Sequence, residues 1–270
     1  MMKNVPAKQH IDLGEALGRI AGVGLAPLAL VGAAVRDARL FHPRGRVYRA
    51  EAVLPLESIG APEPVERLAA RLVGPSIVRV SSGWWQARRE WPDVLGLALR
   101  FGWSTRTAAA DEQDLLFGTT SSLWKLPYAA LATDVHDYLH NQYFAASSYV
   151  LRGVGRVELS LLPAHGRGHA GSRDEKLDAA VAEGGARLHL WLRLPDGRPF
   201  PLVDVVLREP MSLDQEALRF SPFSAGRGLD PAGFVHGLRW ATYAASRLGE
   251  RVRAAVETRA HAVRSLHGRR

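Results

Sequence analysis

The chain has 270 residues, 47% of them hydrophobic and 8% aromatic, enough for a sizeable core in one large domain or two small ones. It has no cysteine, which excludes disulfides, thiolate catalysis and thiolate-ligated zinc or haem, so any metal must take His, Tyr, Asp or Glu. The formal charge of +8 suits a polyanion or a membrane surface, but much of the excess lies in the final stretch from Arg251 to Arg270; no aromatic-interleaved basic stripe or nucleic-acid motif occurs, so no nucleic-acid partner is expected.

The first element is "IAGVGLAPLALVGAAV", residues 20–35, which carries no charge. A membrane-spanning helix needs about 20 apolar residues, and Pro27 interrupts this one. Asp12 and Glu15 spoil the positive leader of a signal peptide. The stretch is expected to be a buried or partner-facing helix within an N-terminal region, residues 1–38, with peripheral membrane contact as the alternative. The location is expected to be cytoplasmic.

Strands are then expected at 46–53 (RVYRAEAV), 76–83 (SIVRVSSG), 94–101 (VLGLALRF) and 114–117 (DLLF). Further strands are expected at 147–162, 186–194 and 201–209. Val78 and Val80 against Arg79 and Ser81 show the period-two alternation of a sheet with two different faces. Helices are expected from Glu63 to Leu72 and from Pro231 to about Leu266, with a polar loop at 165–176. Helices surround the strands instead of alternating with them, which argues against a doubly wound parallel sheet. With no linker or repeat, the expectation is a single α+β domain, an antiparallel barrel with surrounding helices over 39–270.

Four features stand out against a bland barrel. His42 sits in "RLFHPRG", three residues after Arg39 and just before the turn into the first strand. Arg79 and Ser81 share one face of a strand. Arg239 and Tyr243, four apart in "HGLRWATYAASRLGERVR", share one face of a helix. The His136 and His140 pair in "HDYLH" has the spacing of two metal ligands on a helix, but lacks the glutamate of the zinc-protease motif. His165 and His169 form a weaker pair, and no Gly-x-Ser-x-Gly nucleophile elbow occurs.

Taken in order, these pieces resemble the haem catalases, in the reduced form of small bacterial catalase-related haem proteins. "RLFHPRG" is similar to the distal segment that carries the catalytic histidine, and Arg79-Val80-Ser81 to the Arg-apolar-Ser strand that follows it. "WPDVLGLALRF" with "DLLFGTTSS" resembles the strand pair leading to the distal asparagine. "PFPLVDVVLREP" and "LRFSPFSAGRGLDPAGFVHGLRWATY" resemble the approach to the proximal Arg-x-x-x-Tyr.

The resemblance implies haem b bound between barrel and proximal helix, with Tyr243 as the iron ligand and Arg239 favouring its phenolate. It implies His42 as general acid and base, Ser81 orienting the imidazole, and Arg39 and Arg79 meeting the propionates, with Arg247 or Arg251 a further contact. In place of the distal asparagine stands Thr119 or Thr120 of "GTTSS", with Thr120 expected to take the role. "LWKLPYAALATDVHDYLHNQYF" lacks the family's aromatic run, and Trp124, Tyr128, Tyr143 or Phe144 is expected to shape a wider cavity.

The implied function is oxidoreduction with hydrogen peroxide or an organic hydroperoxide, as a peroxidase, weak catalase or hydroperoxide-transforming enzyme. The partners are the peroxide and a small organic reductant or substrate, with a homo-oligomer left open. The alternatives are a haem-binding protein of the same fold that stores haem, senses or binds gas, and a lipid or membrane-surface module.

Overall fold

Every second residue of the first strand enters an apolar interior, and that alternation builds the molecule. A computed structural model describes residues 45–56, 60–83, 90–120, 126–164, 168–215 and 217–232. The N-terminal apolar stretch, the distal segment with Arg39 and His42, and nearly all of the expected C-terminal helix lie outside these residues.

In chain order the elements are β1 (Gly45–Val53), α1 (Glu63–Leu72), β2 (Gly74–Ser82), β3 (Leu95–Phe101), β4 (Gln113–Gly118), α2 (Leu126–Ala132), a 3-10 turn (Tyr138–His140), β5 (Tyr143–Ala145), β6 (Ser148–Leu151), β7 (Gly155–Pro163), α3 (Arg173–Ala182), β8 (Arg187–Arg193), β9 (Pro199–Met211) and β10 (Leu229–Ala232). Eight strands close in the order β1-β2-β3-β4-β5-β7-β8-β9, with β9 returning to β1. The strand pairs round this ring are antiparallel among the described residues. β6 folds back on β7, and β10 lies beside β6.

The lumen is packed. Tyr48, Ala50 and Ala52 of β1, Val78 and Val80 of β2, Leu95, Leu97, Leu99 and Phe101 of β3, and Leu115 and Phe117 of β4 join one cluster with apolar residues of β5, β7, β8 and β9. An eight-stranded barrel is just wide enough for its own side chains. α1 closes the end where β1 finishes, burying Val65, Leu68, Ala69 and Leu72. α3 covers the end where β1 begins, with Leu177, Ala180 and Val181 in the core and Asp178 accepting from the Tyr48 hydroxyl at 2.7 Å.

The expected elements need three corrections. Residues 147–162 are a hairpin: the Val154 N–H bonds the Leu151 carbonyl, and Gly153, at φ 85°, supplies the left-handed step that a side chain resists. The polar loop ends at Ser172, because Ser172 and Glu175 form a capping box and start α3 at Arg173. Pro231 and Ala232, expected to open the C-terminal helix, belong to β10.

A strap, residues 212–228, crosses the outside of β1–β4. It is held by Arg100 and Asp114, both fully buried. Arg100 Nε and Nη2 donate to the two Asp114 oxygens at 2.7 and 2.8 Å. Its remaining donors go to the carbonyls of Ser104, Arg106 and Arg219, and Asp114 also accepts from the Ser221 N–H. Leu218 and Phe220 of the strap then pack over Val47 and Ile77.

Removing one partner of such a pair leaves a buried charge, so Asp114→Ala should cost about 3–5 kcal/mol in urea unfolding, and the double variant Arg100→Leu/Asp114→Leu should cost less than the single variant. A double variant no more stable than the single one would contradict this account. The Ser147 hydroxyl is buried and has no hydrogen-bond partner among the described residues, so Ser147→Ala should leave the melting temperature unchanged or raise it.

Candidate functional site

The outer face of β1–β4 is layered in rows set by strand register. Partners across a sheet project on the same side. The row under the strap is Arg49–Ile77–Arg100–Asp114, and the next is Val47–Arg79–Ala98–Leu116. The row at the edge is Gly45–Ser81–Gly96–Gly118. Three glycines and one serine therefore line up across four strands, and Phe144 of β5 pairs with Gly118 at the end of the row.

Nothing longer than the Ser81 side chain rises from that row until Phe144. The result is a strip of nearly bare backbone about four strands wide, roughly 14 Å across at 4.7–4.9 Å per strand spacing. Ser81 is 3% exposed, and its hydroxyl lies 3.5 Å from the Gly96 carbonyl. Arg79, one row behind, is also buried and turns its guanidinium towards the strip: a Cβ on Gly45 would lie 2.9 Å from Arg79 Cζ and would collide with the Val80 carbonyl. Gly45 is thus required to be glycine by backbone proximity.

The structure brings together Arg79 and Ser81, as their spacing predicts. Arg39, His42, Arg239, Tyr243, Arg247 and Arg251 lie outside the described residues. Of the two threonines, Thr119 is committed to structure: its hydroxyl accepts from the Leu95 N–H at 3.1 Å and lies 2.7 Å from the Thr133 hydroxyl. Thr120 is half-buried beside it, at the end of β4.

Among the residues expected to shape a wider cavity, Tyr143 is corrected. It is wholly buried in the barrel interior and donates to the Tyr138 carbonyl at 2.9 Å. Phe144, its neighbour, points to the outer face because side chains alternate along a strand. Tyr128 is 76% exposed on α2, and Trp124 lies outside the described residues.

The histidine pair is also corrected. His136 and His140 do not share an α-helix; the second falls in the 3-10 turn, and the two rings meet different carboxylates. His136 Nδ1 lies 2.5 Å from Glu90 and His140 Nδ1 2.8 Å from Asp134. His165 lies outside the described residues, and His169 is 3.8 Å from Glu183. No group of metal-ligating side chains occurs among the described residues.

A separate recess of about 130 Å³ lies at the α3 end, lined by Arg46, Glu90, Arg173 and Asp174 among others. It has room for a few waters, at about 30 Å³ each, and none for a large cofactor. Glu90 ties its walls together by accepting from the Arg173 N–H and meeting His136. Sequence reasoning passed over Gly96 and Gly118 because their relation to Ser81 exists only once the strands are paired. The isolated glycines inside strand patterns were the available signal, since such glycines mark close approach of another backbone or a ligand.

No family model and no curated protein sequence matches the chain. Among solved structures it is similar to catalase A from Saccharomyces cerevisiae, at 11% identity and a TM-score of 0.52, over 79% of this chain and 60% of that one. It is similar also to a fungal catalase, at 13% identity and a TM-score of 0.52, over 77% of this chain and 57% of that one. The chain thus spans about 60% of the length of the catalases it matches.

Burial raises the carboxyls of Glu112, Glu90 and Asp134, but hydrogen bonds outweigh it: backbone N–H groups for Glu112, the Arg173 N–H and His136 for Glu90, and His140 for Asp134. All three are held below the usual carboxylate range, so their stabilisation is fully present above the unfolded pKa values, about 4. It should be lost as pH falls through the lower folded values. A urea midpoint that drops below about pH 4, with a shallower drop in Glu112→Gln, is the expected result. At that resolution of fold and sequence, the chain has a catalase-like antiparallel barrel.

Proposed function

We propose that the chain is a haem-dependent oxidoreductase that uses hydrogen peroxide or an organic hydroperoxide. The observation that carries this reading is the strip Gly45–Ser81–Gly96–Gly118 with the Arg79 guanidinium turned towards it. A planar tetrapyrrole needs a flat face without side chains, and its propionates need a cation. Glycine at three of four positions meets the first need, and Arg79 can meet the second by charge-assisted hydrogen bonds.

The tyrosines support the same reading. Tyr48, Tyr138, Tyr143 and Tyr149 are all buried in the barrel core. Burial pushes Tyr138 up to about 12 and Tyr143 well up, and burial with the bond to Asp178 pushes Tyr48 up, so these hydroxyls keep their protons. A ligand to ferric iron must give its proton up. With Tyr128 largely exposed, Tyr243 is the sixth and remaining tyrosine, and Arg239 precedes it by four positions in the sequence. A guanidinium beside a phenol favours the phenolate.

Bound haem would supply the redox-active iron at which peroxide is reduced. The chain's own residues divide the remaining tasks. His42 accepts the proton from one peroxide oxygen and returns it to the other as the O–O bond breaks, so that water or an alcohol leaves. Ser81 orients the imidazole, and Arg39, Arg79 and Arg247 bind the carboxylates. Thr120 offers a hydroxyl where the family has an amide, which favours peroxidase or hydroperoxide chemistry over fast disproportionation.

The test is the visible absorption spectrum of the full chain expressed with ample haem, compared with Tyr243→Phe and His42→Ala, before and after peroxide. The expected result is a strong Soret band in the parent, changed or lost in Tyr243→Phe, and retained in His42→Ala with the fast peroxide reaction abolished. Equal peroxide reactivity in His42→Ala would overturn the role given to His42, and a parent that binds haem without reacting with peroxide would be a haem-binding protein without this chemistry. Absence of bound haem in the parent would remove the proposal and bring the lipid-surface alternative forward.

A further inference from the structure

At the start of β1 the sheet is completed by a side chain. β9 pairs with β1 only as far as Val47 opposite Met211, and then leaves the sheet to become the strap. On that open side, Gly45 would otherwise present an N–H and a carbonyl to no strand. Gln215 takes both: its Oε1 accepts from the Gly45 N–H at 3.0 Å, and its Nε2 donates to the Gly45 carbonyl. A carboxamide carries one acceptor and a donor pair, like a peptide group, so Gln215 stands in for the missing β9 residue.

This matters because Gly45 is the end of the strip. On its other side it pairs with Ser81. His42 stands three positions before it in the sequence, a reach of at most about 11 Å. The strap that supplies Gln215 is itself fixed farther along by Arg100 and Asp114.

Resting on the haem reading above, we infer that Gln215 is a positioning residue for the proposed peroxide chemistry: it fixes Gly45, the end of the strip beside Ser81, three positions along the chain from His42. It touches neither substrate nor cofactor in this role. It couples the strap to the start of β1, the strand that follows His42 in the sequence.

Two variants of the full chain separate this from a general effect on stability. Gln215→Leu keeps the size and loses both bonds. Gln215→Glu keeps the acceptor but, when ionised, sets a carboxylate against the Gly45 carbonyl; when protonated, its O–H restores the donor. An ordinary glutamate titrates at about 4.3. Arg79 beside Gly45 and the adjacent Asp214 pull this value in opposite directions.

The expected result has two parts. Amide hydrogen exchange across residues 44–48, measured without peroxide, should be faster in Gln215→Leu than in the parent while β3 stays protected. Peroxide reaction of the haem-loaded variant should fall by about tenfold to a hundredfold with haem content unchanged. In Gln215→Glu both defects should shrink as pH is lowered through the carboxyl's pKa, each compared with the parent at the same pH.

Parent-like exchange and reaction in Gln215→Leu would overturn the assignment alone, the haem reading standing on the parent and His42→Ala controls. A pH-independent defect in Gln215→Glu, or loss of haem together with activity, would reduce Gln215 to a structural residue and also overturn it. A parent chain that binds no haem would remove the haem reading, and this positioning role with it.

Discussion

The buried pair of Arg100 and Asp114 is the constraint on which the candidate site depends. Two charges taken out of water are costly unless every donor and acceptor is satisfied. Here all five guanidinium N–H groups have acceptors, two on Asp114 and three on the backbone of residues 104, 106 and 219. Phe220 adds a ring 4.9 Å from the guanidinium carbon. Because one of those acceptors, the Arg219 carbonyl, and one donor to Asp114, the Ser221 N–H, belong to the strap, the pair is fully satisfied only when the strap lies across the barrel.

From that fixed point the outer face divides in two. Below, the strap covers Val47 and Ile77 with Leu218 and Phe220. Above, the edge row keeps almost no side chains, and Arg79 reaches it from the row between. The same division explains why β3 is buried on both faces, with Leu95, Leu97, Leu99 and Phe101 inward and Gly96, Ala98 and Arg100 outward. A strand with an apolar inner face and an outer face of small residues and one fully paired arginine has nothing to offer water. It serves as a floor.

The catalase-like barrel and the candidate chemistry rest on different grounds. The fold follows from a packed lumen, closed strand order and the likeness to fungal catalases. The chemistry depends on particular residues at one edge. Fold alone does not carry function, so the glycine strip, the Arg79 guanidinium and the fate of the six tyrosines bear the weight of the proposal. The protonated, buried tyrosines of the lumen are as informative as the residues proposed to act.

The sequence by itself determined the elements whose signal is local. Alternation in "RVYRAEAV" and "SIVRVSSG" placed β1 and β2, and period two put Arg79 and Ser81 on one face. The α1 helix was legible from its apolar spacing, and the capping box at Ser172 could have shown α3, had the serine and glutamate three apart been weighed above the surrounding polarity. Tertiary structure alone decided the rest. Gly45, Ser81, Gly96 and Gly118 form a row only through register; Gln215 meets Gly45 across 170 residues, and Arg219 meets Arg100 across 119. Local periodicity fixes which way a side chain points along its own strand, whereas partners so far apart are selected by which pairing satisfies every buried polar group at once.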